Sequence, residues 1–269
     1  MQWKAGALLL LAALAPAPAL AAREAAGDSD LQHVVEHVAA CMGDRRMVLL
    51  GEAHGTREVP LLVAGLAERG SRKGPLLLAL EIHGSEHRPL ADYLDGDGSE
   101  AARERLRKRP YWARPRERND GRRSEDMLDL VERMRQLRAQ GRDVAILPFD
   151  VGDGDGRDKA MADHVRKAWE ALPRGRMLAL AGNVHAMRGR PGYAPPGMQE
   201  PMGAFLQDLA PVSIDITAST GAFWACPAAG CGPQPVTSGA PVGMHGGDEA
   251  FDCRVVLPRF TVARLIGQP

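Results

Sequence analysis

The sequence predicts an α/β fold in which a mainly parallel central sheet is flanked by helices. Short apolar runs, each typical of a buried strand, alternate along the chain with stretches of helical periodicity. Strands that alternate with helices favour a parallel sheet, because each connection crosses the sheet through a helix. Ligands of such sheets bind outside the carboxyl ends of the strands. We therefore expect an active site at the carboxyl ends of the strands.

Four apolar runs predict the main strands, at residues 47–50, 76–82, 144–149 and 177–181. Helical periodicity predicts helices at residues 31–40, 59–69, 125–140 and 158–172. The region 89–123 is polar and irregular, with some helical stretches. A short helix is expected at 203–209, and later strands at 212–216, 222–225 and 253–257. This order of elements is the basis for the predicted fold class.

The first residues of the chain read as a secretory signal peptide. Lys4 supplies a positive charge, residues 5–15 are almost purely alanine and leucine, and Ala19-Leu20-Ala21 is a small-x-small cleavage site. The apolar run is shorter than the roughly 20 residues of a membrane span, and no later segment resembles one. We predict a signal peptide at residues 1–22 and a single α/β domain at 23–269, with a retained N-terminal anchor as the alternative. The mature protein is expected to be periplasmic or secreted.

Four cysteines follow this segment: Cys41, Cys226, Cys231 and Cys253. An even number of cysteines after a signal peptide favours disulfides. The Pro- and Gly-containing loop from Cys226 to Cys231 is short enough to close on itself, which would leave Cys41 with Cys253. Four cysteines allow three pairings, and the sequence does not choose among them. A zinc site is the alternative, but the spacing fits the usual zinc patterns poorly.

Charge and composition argue against nucleic acid as a partner. The chain has 34 basic and 34 acidic residues, and only 4% of its residues are aromatic. The stretch from Arg103 to Arg123 is an exception, because it is strongly basic. Its simplest interpretation is a solvated helix face that pairs with nearby glutamates. The alternatives are an entrance for an anionic substrate and a surface that binds a polyanion.

Polar side chains follow four successive predicted strands. Two matching elements of the form Gly-x-x-His, Gly51–His54 and Gly182–His185, come directly after the first and fourth strands. A glycine at this point lets the backbone turn sharply and bring a side chain to the sheet edge. Packing does not readily explain four strand ends that finish in a carboxylate or an imidazole. The residues at these ends are Glu52, His54, Glu81, His83, Asp150, Asn183 and His185.

These residue types suit the activation of water. Two histidines and a carboxylate match the ligands of hydrolytic zinc sites, so His54, Glu81 and His185 are candidate ligands of a divalent metal. Without a metal, His54 is a candidate general base that Glu52 or Glu81 would orient. Arg157 is a candidate for stabilising developing negative charge. The structural alternative is that Glu52 caps the following helix and that the histidines only pack.

Other catalytic classes lack their sequence signatures. The chain contains neither a Gly-x-Ser-x-Gly elbow of serine hydrolases nor a Walker-type phosphate loop. A cysteine nucleophile is disfavoured, because the expected compartment is oxidising.

At these residues the chain resembles the superfamily of the Tiki metalloproteases, the ChaN-like haem-uptake proteins and the erythromycin esterases. The Tiki and ChaN branches have paired Gly-x-x-His elements, a Glu between them and an Arg before the second. Here these look like Gly51–His54, Glu81, Arg157 and Gly182–His185. The sequence Arg-Asp-Lys-Ala-Met-Ala that begins at Arg157 is similar to an Arg-Asp-x-x-Met-Ala element of the esterases. The resemblance extends over residues 47–206.

The resemblance implies a hydrolase that acts on a small-molecule ester or peptide. Its catalytic residues would be Glu52, His54, Glu81, Arg157 and His185, with Asp150 in support, and its metal would be manganese, cobalt or zinc. The ChaN branch implies instead a protein that binds haem or iron without catalysis, with Tyr193 as the candidate axial ligand. The sequence leaves these two branches open.

Overall fold

The structure of the protein, a computed structural model, describes residues 31–267, so the predicted signal peptide lies outside the described residues. Eight strands are present in the described part of the chain. They are β1 (Met47–Glu52), β2 (Leu76–His83), β3 (Val144–Asp150), β4 (Arg176–Gly182), β5 (Val212–Ala225), β6 (Gly232–Pro235), β7 (Gly243–Gly246) and β8 (Cys253–Phe260).

One sheet contains these strands in the order β3-β2-β4-β1-β5-β8-β7, and β6 pairs with β5 off this path. Every pairing from β3 across to β8 is parallel. Only β6 and β7 run antiparallel to their partners. The predicted mainly parallel sheet is confirmed. Strands β6 and β7 were not predicted, because both are four residues long and rich in Gly or Pro.

The helices connect and cover the strands. Ser99 and Ser124 cap two of them, since each hydroxyl oxygen accepts a hydrogen bond from a backbone N–H in the first turn. The region 89–123, expected to be irregular with some helical stretches, contains a complete two-turn helix and part of another. The helices are α1 (residues 31–42), α2 (Glu58–Ser71), α3 (His87–Leu94), α4 (Glu100–Arg107), α5 (Glu125–Ala139), α6 (Arg157–Glu170) and α7 (Asn183–Ala186).

Apolar clusters fill both sides of the sheet. On one side α2 and α5 pack against the strands, and Val48 and Leu50 of β1 point into this cluster. On the other side lies α6, and Met47 and Leu49 of β1 point into a second cluster. Since β1 is buried on both faces, its sequence is a continuous apolar run without alternation. The predicted sheet with helices on its faces is therefore confirmed.

Two disulfides join the four cysteines. Cys41 pairs with Cys253 across 6.7 Å between Cα atoms, which ties α1 to β8. Cys226 pairs with Cys231 across 3.8 Å, which closes the turn between β5 and β6. The structure thus selects one of the three pairings that the sequence left open. None of the helices within residues 31–267 has the length and apolar character needed to cross a membrane.

Candidate functional site

The carboxyl ends of β3, β2, β4 and β1 lie side by side, because these four strands are neighbours in the sheet. Glu52 and Asp150 are the last residues of β1 and β3, and Glu81 lies near the end of β2. All three carboxylates are buried. His54 and His185 come shortly after β1 and β4. The sheet order therefore brings the predicted site residues to one place.

Glu81 lies at the centre of this cluster. Its Oε1 accepts hydrogen bonds from Arg122 at 2.6 Å and from Arg157 at 2.7 Å. Its Oε2 accepts a hydrogen bond from the backbone N–H of Gly182 at 2.7 Å. A carboxylate with 5% of its surface exposed is tolerated here because each oxygen is matched by donors. Glu81 thus joins the end of β2 to the end of β4.

The charges around Glu81 keep it ionised. Burial by itself would raise the pKa of Glu81, but the charges of His54, Arg122 and His185 outweigh burial and lower it to about 2. The hydrogen bond from Gly182 acts in the same direction. Glu81 is therefore a carboxylate, and not a proton donor, at neutral pH.

His54 is held by carboxylates on two sides. Its Nδ1 lies 3.0 Å from Oε1 of Glu52, and its Nε2 lies 3.6 Å from Oε2 of Glu81, beyond hydrogen-bond distance. Because a carboxylate only accepts, the hydrogen bond to Glu52 assigns a proton to Nδ1, and in the neutral ring Nε2 then carries the lone pair. The side chain is 19% exposed, so part of the ring is open to solvent. His54 therefore presents a basic nitrogen towards the site.

The pKa values of His54 and Glu52 are both shifted. Burial would lower the pKa of His54, but the charge of Glu81 and the hydrogen bond to Glu52 outweigh it and raise the pKa. For Glu52, burial is the main cause of a raised pKa, and the hydrogen bond and charge of His54 offset it only in part. The net effect is an imidazole that is more basic than a free histidine.

His185 has a different environment. Its Nδ1 lies 2.6 Å from Oδ1 of Asp158, although the direction of the N–H does not meet the criteria for a hydrogen bond. Its Nε2 lies 3.0 Å from a terminal nitrogen of Arg157. A guanidinium group only donates, so Nε2 of His185 is the acceptor and its lone pair is engaged. His185 thus supports Arg157 through its Nε2.

The glycines of the two Gly-x-x-His elements make room for each other's element. A Cβ at Gly182 would lie 3.0 Å from Nε2 of His54, and a Cβ at Gly51 would lie 3.0 Å from Cα of Asn183. Neither glycine has a positive φ. The expectation of a sharp turn at these glycines is therefore wrong. Close approach of the two elements is the reason for glycine at both positions.

Three residues of the cluster could not be predicted from their positions in the sequence. Arg122 was grouped with the basic stretch, yet its side chain reaches Glu81 and also donates to Asp120 at 2.6 Å. Asp120 comes from the same loop, and Asp158 from the first turn of α6. No motif marked Arg122 or Asp120, because both lie in a loop outside the predicted strand ends. Asp158 was visible only as the second letter of the Arg-Asp-x-x-Met-Ala element.

Two other predicted residues lie outside the cluster. His83 is exposed, and its Nδ1 is hydrogen-bonded to the hydroxyl of Ser85 at 2.9 Å. Tyr193, the candidate haem ligand, is 67% exposed. Its charged neighbours are Asp248, Arg254, Asp215 and Glu249, and none of them belongs to the cluster around Glu81.

The basic stretch between residues 103 and 123 is divided among several partners. Arg103 and Arg107 both pair with Glu125 at the start of α5. Arg122 instead enters the cluster around Glu81. These three side chains are paired with carboxylates, whereas Arg105, Arg114, Arg116 and Arg118 are exposed.

The arrangement does not fit a bound metal ion. Both oxygens of Glu81 are engaged, and Arg157 occupies the lone pair of His185 that a metal would need. Two guanidinium groups at this point would also repel a divalent cation. Among residues 31–267 no three His, Cys, Asp or Glu side chains stand close enough to hold a metal. The metal remains a prediction from the sequence, and we derive no chemical step from it.

A large apolar groove lies away from the cluster. It has a volume of about 980 Å³ and is formed by α1, α2, β7 and β8, with Leu61 and Val242 exposed in its wall. None of its lining residues belongs to the cluster around Glu81. Its wall is mostly apolar, with His33, His37, Glu58 and Arg259 as its titratable side chains. We assign chemistry to the strand ends, where the titratable groups contact one another.

Neither a family model nor a curated protein matches the chain. Solved structures share its fold: a Bacillus cereus protein has a TM-score of 0.65 at 14% identity, over 88% of this chain and 94% of that chain. A histidine-to-asparagine mutant of erythromycin esterase EreC in its open conformation has a TM-score of 0.61 at 15% identity, over 87% and 95%. A succinoglycan biosynthesis protein has a TM-score of 0.62 at 12% identity, over 88% and 99%. At these identities the likeness shows the fold alone, which is the fold expected from the superfamily that the motifs resemble.

Proposed function

We propose that this protein is a hydrolase that activates water through His54 and acts on a carboxylic ester. The observation that carries the proposal is the environment of His54, whose Nδ1 is paired with Glu52 while Nε2 is more than hydrogen-bond distance from Glu81. A general base needs such a free, oriented and basic nitrogen. The fold shared with an erythromycin esterase supports the ester as substrate class.

In the proposed reaction, Nε2 of His54 takes a proton from water, and the oxygen of that water attacks the carbonyl carbon. The resulting tetrahedral intermediate carries a negative oxygen. Its collapse breaks the bond to the leaving alcohol, which receives the proton back from His54. Glu52 holds the ring through Nδ1 and stabilises the imidazolium form during this cycle.

Positive charge for the intermediate comes from Arg122 and Arg157. Their guanidinium groups meet at Oε1 of Glu81 and are 12% and 17% exposed, so they are largely shielded from water. Charges that are fixed in place before the reaction stabilise an oxyanion strongly, because they need no reorganisation. Asp150 supports Arg157 by accepting from its Nε at 2.9 Å.

The test is ester hydrolysis by the mature protein and its histidine variants. His54→Ala and His185→Ala are expected to abolish hydrolysis of p-nitrophenyl esters while thermal melts stay close to wild type. His83→Ala is the matched control, because His83 also lies at the carboxyl end of a strand but is hydrogen-bonded to Ser85 outside the cluster. Full activity in both His54→Ala and His185→Ala would remove the assignment.

Metal analysis and a haemin titration on the same preparation address the two other predictions from the sequence. Bound manganese, cobalt or zinc would support the metal-dependent form of the reaction. A Soret shift that Tyr193→Ala removes would support haem binding.

We also propose a periplasmic or secreted location, because two disulfides are stable in an oxidising compartment. N-terminal sequencing of the exported protein tests the cleavage site after residues 1–22.

A further inference from the structure

Trp224, near the end of β5, lies where two loops of the site meet. One loop follows His54 and the other precedes Arg122. The backbone N–H of Trp224 donates to the carbonyl of Gly55 at 3.1 Å. The indole N–H donates to the carbonyl of Asn119 at 2.6 Å, in a buried contact. One residue therefore bonds directly to both loops.

The packing between these loops is too close for side chains. Gly55 and Gly121 have φ values of +72° and +100°, which favour glycine. A Cβ at Gly121 would lie 2.5 Å from Cα of Gly55, and a Cβ at Gly55 would lie 2.5 Å from the carbonyl oxygen of Trp224. The position of His54 is thus coupled to that of Arg122 through backbone contacts at Trp224.

Asn119, which accepts the indole N–H of Trp224, also holds the turn that contains Arg122. Its Oδ1 accepts from the N–H of Gly121 at 3.0 Å, and its Nδ2 donates to the carbonyl of Arg123 at 2.8 Å. These bonds fix the turn from which Arg122 enters the site. Asn119 is fully buried, so its amide group cannot exchange these two hydrogen bonds for bonds to water.

The disulfide between Cys226 and Cys231 borders the same loop. Sγ of Cys226 lies 3.3 Å from the carbonyl oxygen of Asn119, and Sγ of Cys231 lies 3.0 Å from that of Glu117. The disulfide closes the turn directly after Trp224, where β5 pairs with β6. It therefore restricts the strand end that carries the indole ring.

We propose that Trp224 is a positioning residue of the site, and that the Cys226–Cys231 disulfide holds it in place. Its contacts to Gly55 and Asn119 keep His54 and Arg122 at the distances that the reaction needs. The consequence for activity rests on the proposed hydrolase, whereas the consequence for the loop of Asn119 does not. We call the loop from Asn119 to Arg123 the arginine loop.

The first test compares Trp224→Phe with Trp169→Phe. Both tryptophans lie under an arginine, with Arg116 at 4.4 Å from the ring of Trp224 and Arg46 at 4.6 Å from that of Trp169, but Trp169 is at the far end of α6. Phenylalanine keeps the aromatic ring and removes the indole donor. We expect Trp224→Phe to lower kcat about tenfold or more with KM nearly unchanged, because small misplacements of catalytic groups reduce the rate steeply.

Hydrogen exchange supplies the readout that does not depend on activity. Amides of the arginine loop should exchange faster in Trp224→Phe and not in Trp169→Phe, while thermal melts show both variants folded. If Trp224→Phe does not fold, the comparison of the two disulfide variants below, which leaves Trp224 in place, decides the proposal. Unchanged exchange in the arginine loop would overturn the proposal, whatever the kinetics show.

The second test removes one disulfide at a time. The double variant C226S/C231S should show faster exchange in the arginine loop and a lower kcat than wild type. The control C41S/C253S removes the disulfide between α1 and β8 and should leave the arginine loop protected. Equal exchange in the two double variants would contradict the role of Cys226–Cys231. If wild type hydrolyses no ester, the proposed function fails, but the exchange results still decide the role of Trp224.

Discussion

The two Gly-x-x-His elements have the same spacing and follow neighbouring strands, yet their histidines meet different partners. Nδ1 of His54 is hydrogen-bonded to Glu52, and Nε2 has no hydrogen-bond partner in the cluster. His185 has Asp158 at Nδ1 and Arg157 at Nε2, so both of its nitrogens have neighbours. A motif that looks repeated in the sequence thus yields one candidate base and one supporting imidazole.

The comparison shows that the surroundings assign the roles of identical side chains. Both rings approach Glu81, at 3.6 Å from His54 and 3.7 Å from His185. The difference comes from Arg157, which begins α6 and reaches only the second ring. Substitutions on the two sides of Glu81 should therefore have unequal effects on activity.

The loss of the base should have the largest effect. His54→Gln keeps a polar side chain of similar size but cannot take up a proton, so we expect kcat/KM to fall by about 10²- to 10⁴-fold. Steady-state ester hydrolysis measures this loss, and His83→Gln is the control. A smaller loss in His54→Gln than in His185→Gln would reverse the roles of the two histidines.

The carboxylate between the two rings should matter most for stability. In Glu81→Gln the side-chain NH₂ group donates, so it must face another donor, either a guanidinium group or the N–H of Gly182. The charges of Arg122 and Arg157 also lose the carboxylate that they share. We expect a loss of about 3–5 kcal/mol in the free energy of unfolding, as is typical for a broken buried ion pair.

Denaturant unfolding at neutral pH measures this change. The control is Asp163→Asn, which breaks an exposed ion pair with Lys159 on α6 and should cost about 0.5 kcal/mol or less. A cost below about 1 kcal/mol for Glu81→Gln would mean that the two arginines find other partners.

The pH dependence should separate the two histidines. Activity requires neutral His54, whose pKa is raised above 6.5, so the acidic limb of kcat/KM should have its midpoint above pH 6.5. Glu52→Gln removes a hydrogen bond that raises this pKa and should move the limb to lower pH. Asp158→Asn, beside His185, should leave the limb in place. If the acidic limb of kcat/KM shifts in Asp158→Asn and not in Glu52→Gln, His185 is the base.

The smallest expected effect concerns acid stability. The folded-state pKa of Glu81, about 2, lies below its ordinary value of 4.5. Its contribution to stability is therefore complete above pH 4.5 and is lost as the pH falls towards 2. The difference in unfolding free energy between wild type and Glu81→Gln should narrow between neutral pH and about pH 3. A constant difference over this range would show that Glu81 is not ionised in the folded protein.

Much of the site's location was predictable from sequence, and its internal contacts were not. Glu52, Glu81 and Asp150 were expected at strand ends, because buried parallel strands are continuous apolar runs and the polar residue that ends each run is conspicuous. Arg122 gave no such signal. It lies 41 residues from Glu81 in a loop, and only the packing of that loop directs it into the site.

The sequence by itself determined the mainly parallel α/β fold and the strand ends at which polar side chains collect. It did so because strand burial and helical amphipathicity leave periodic patterns in neighbouring residues. The tertiary structure decided which histidine has a nitrogen without a hydrogen-bond partner, why both elements begin with glycine, and which cysteines pair. Those outcomes depend on contacts between distant segments, such as the bond from Trp224 to Asn119 across 105 residues, for which no local pattern exists.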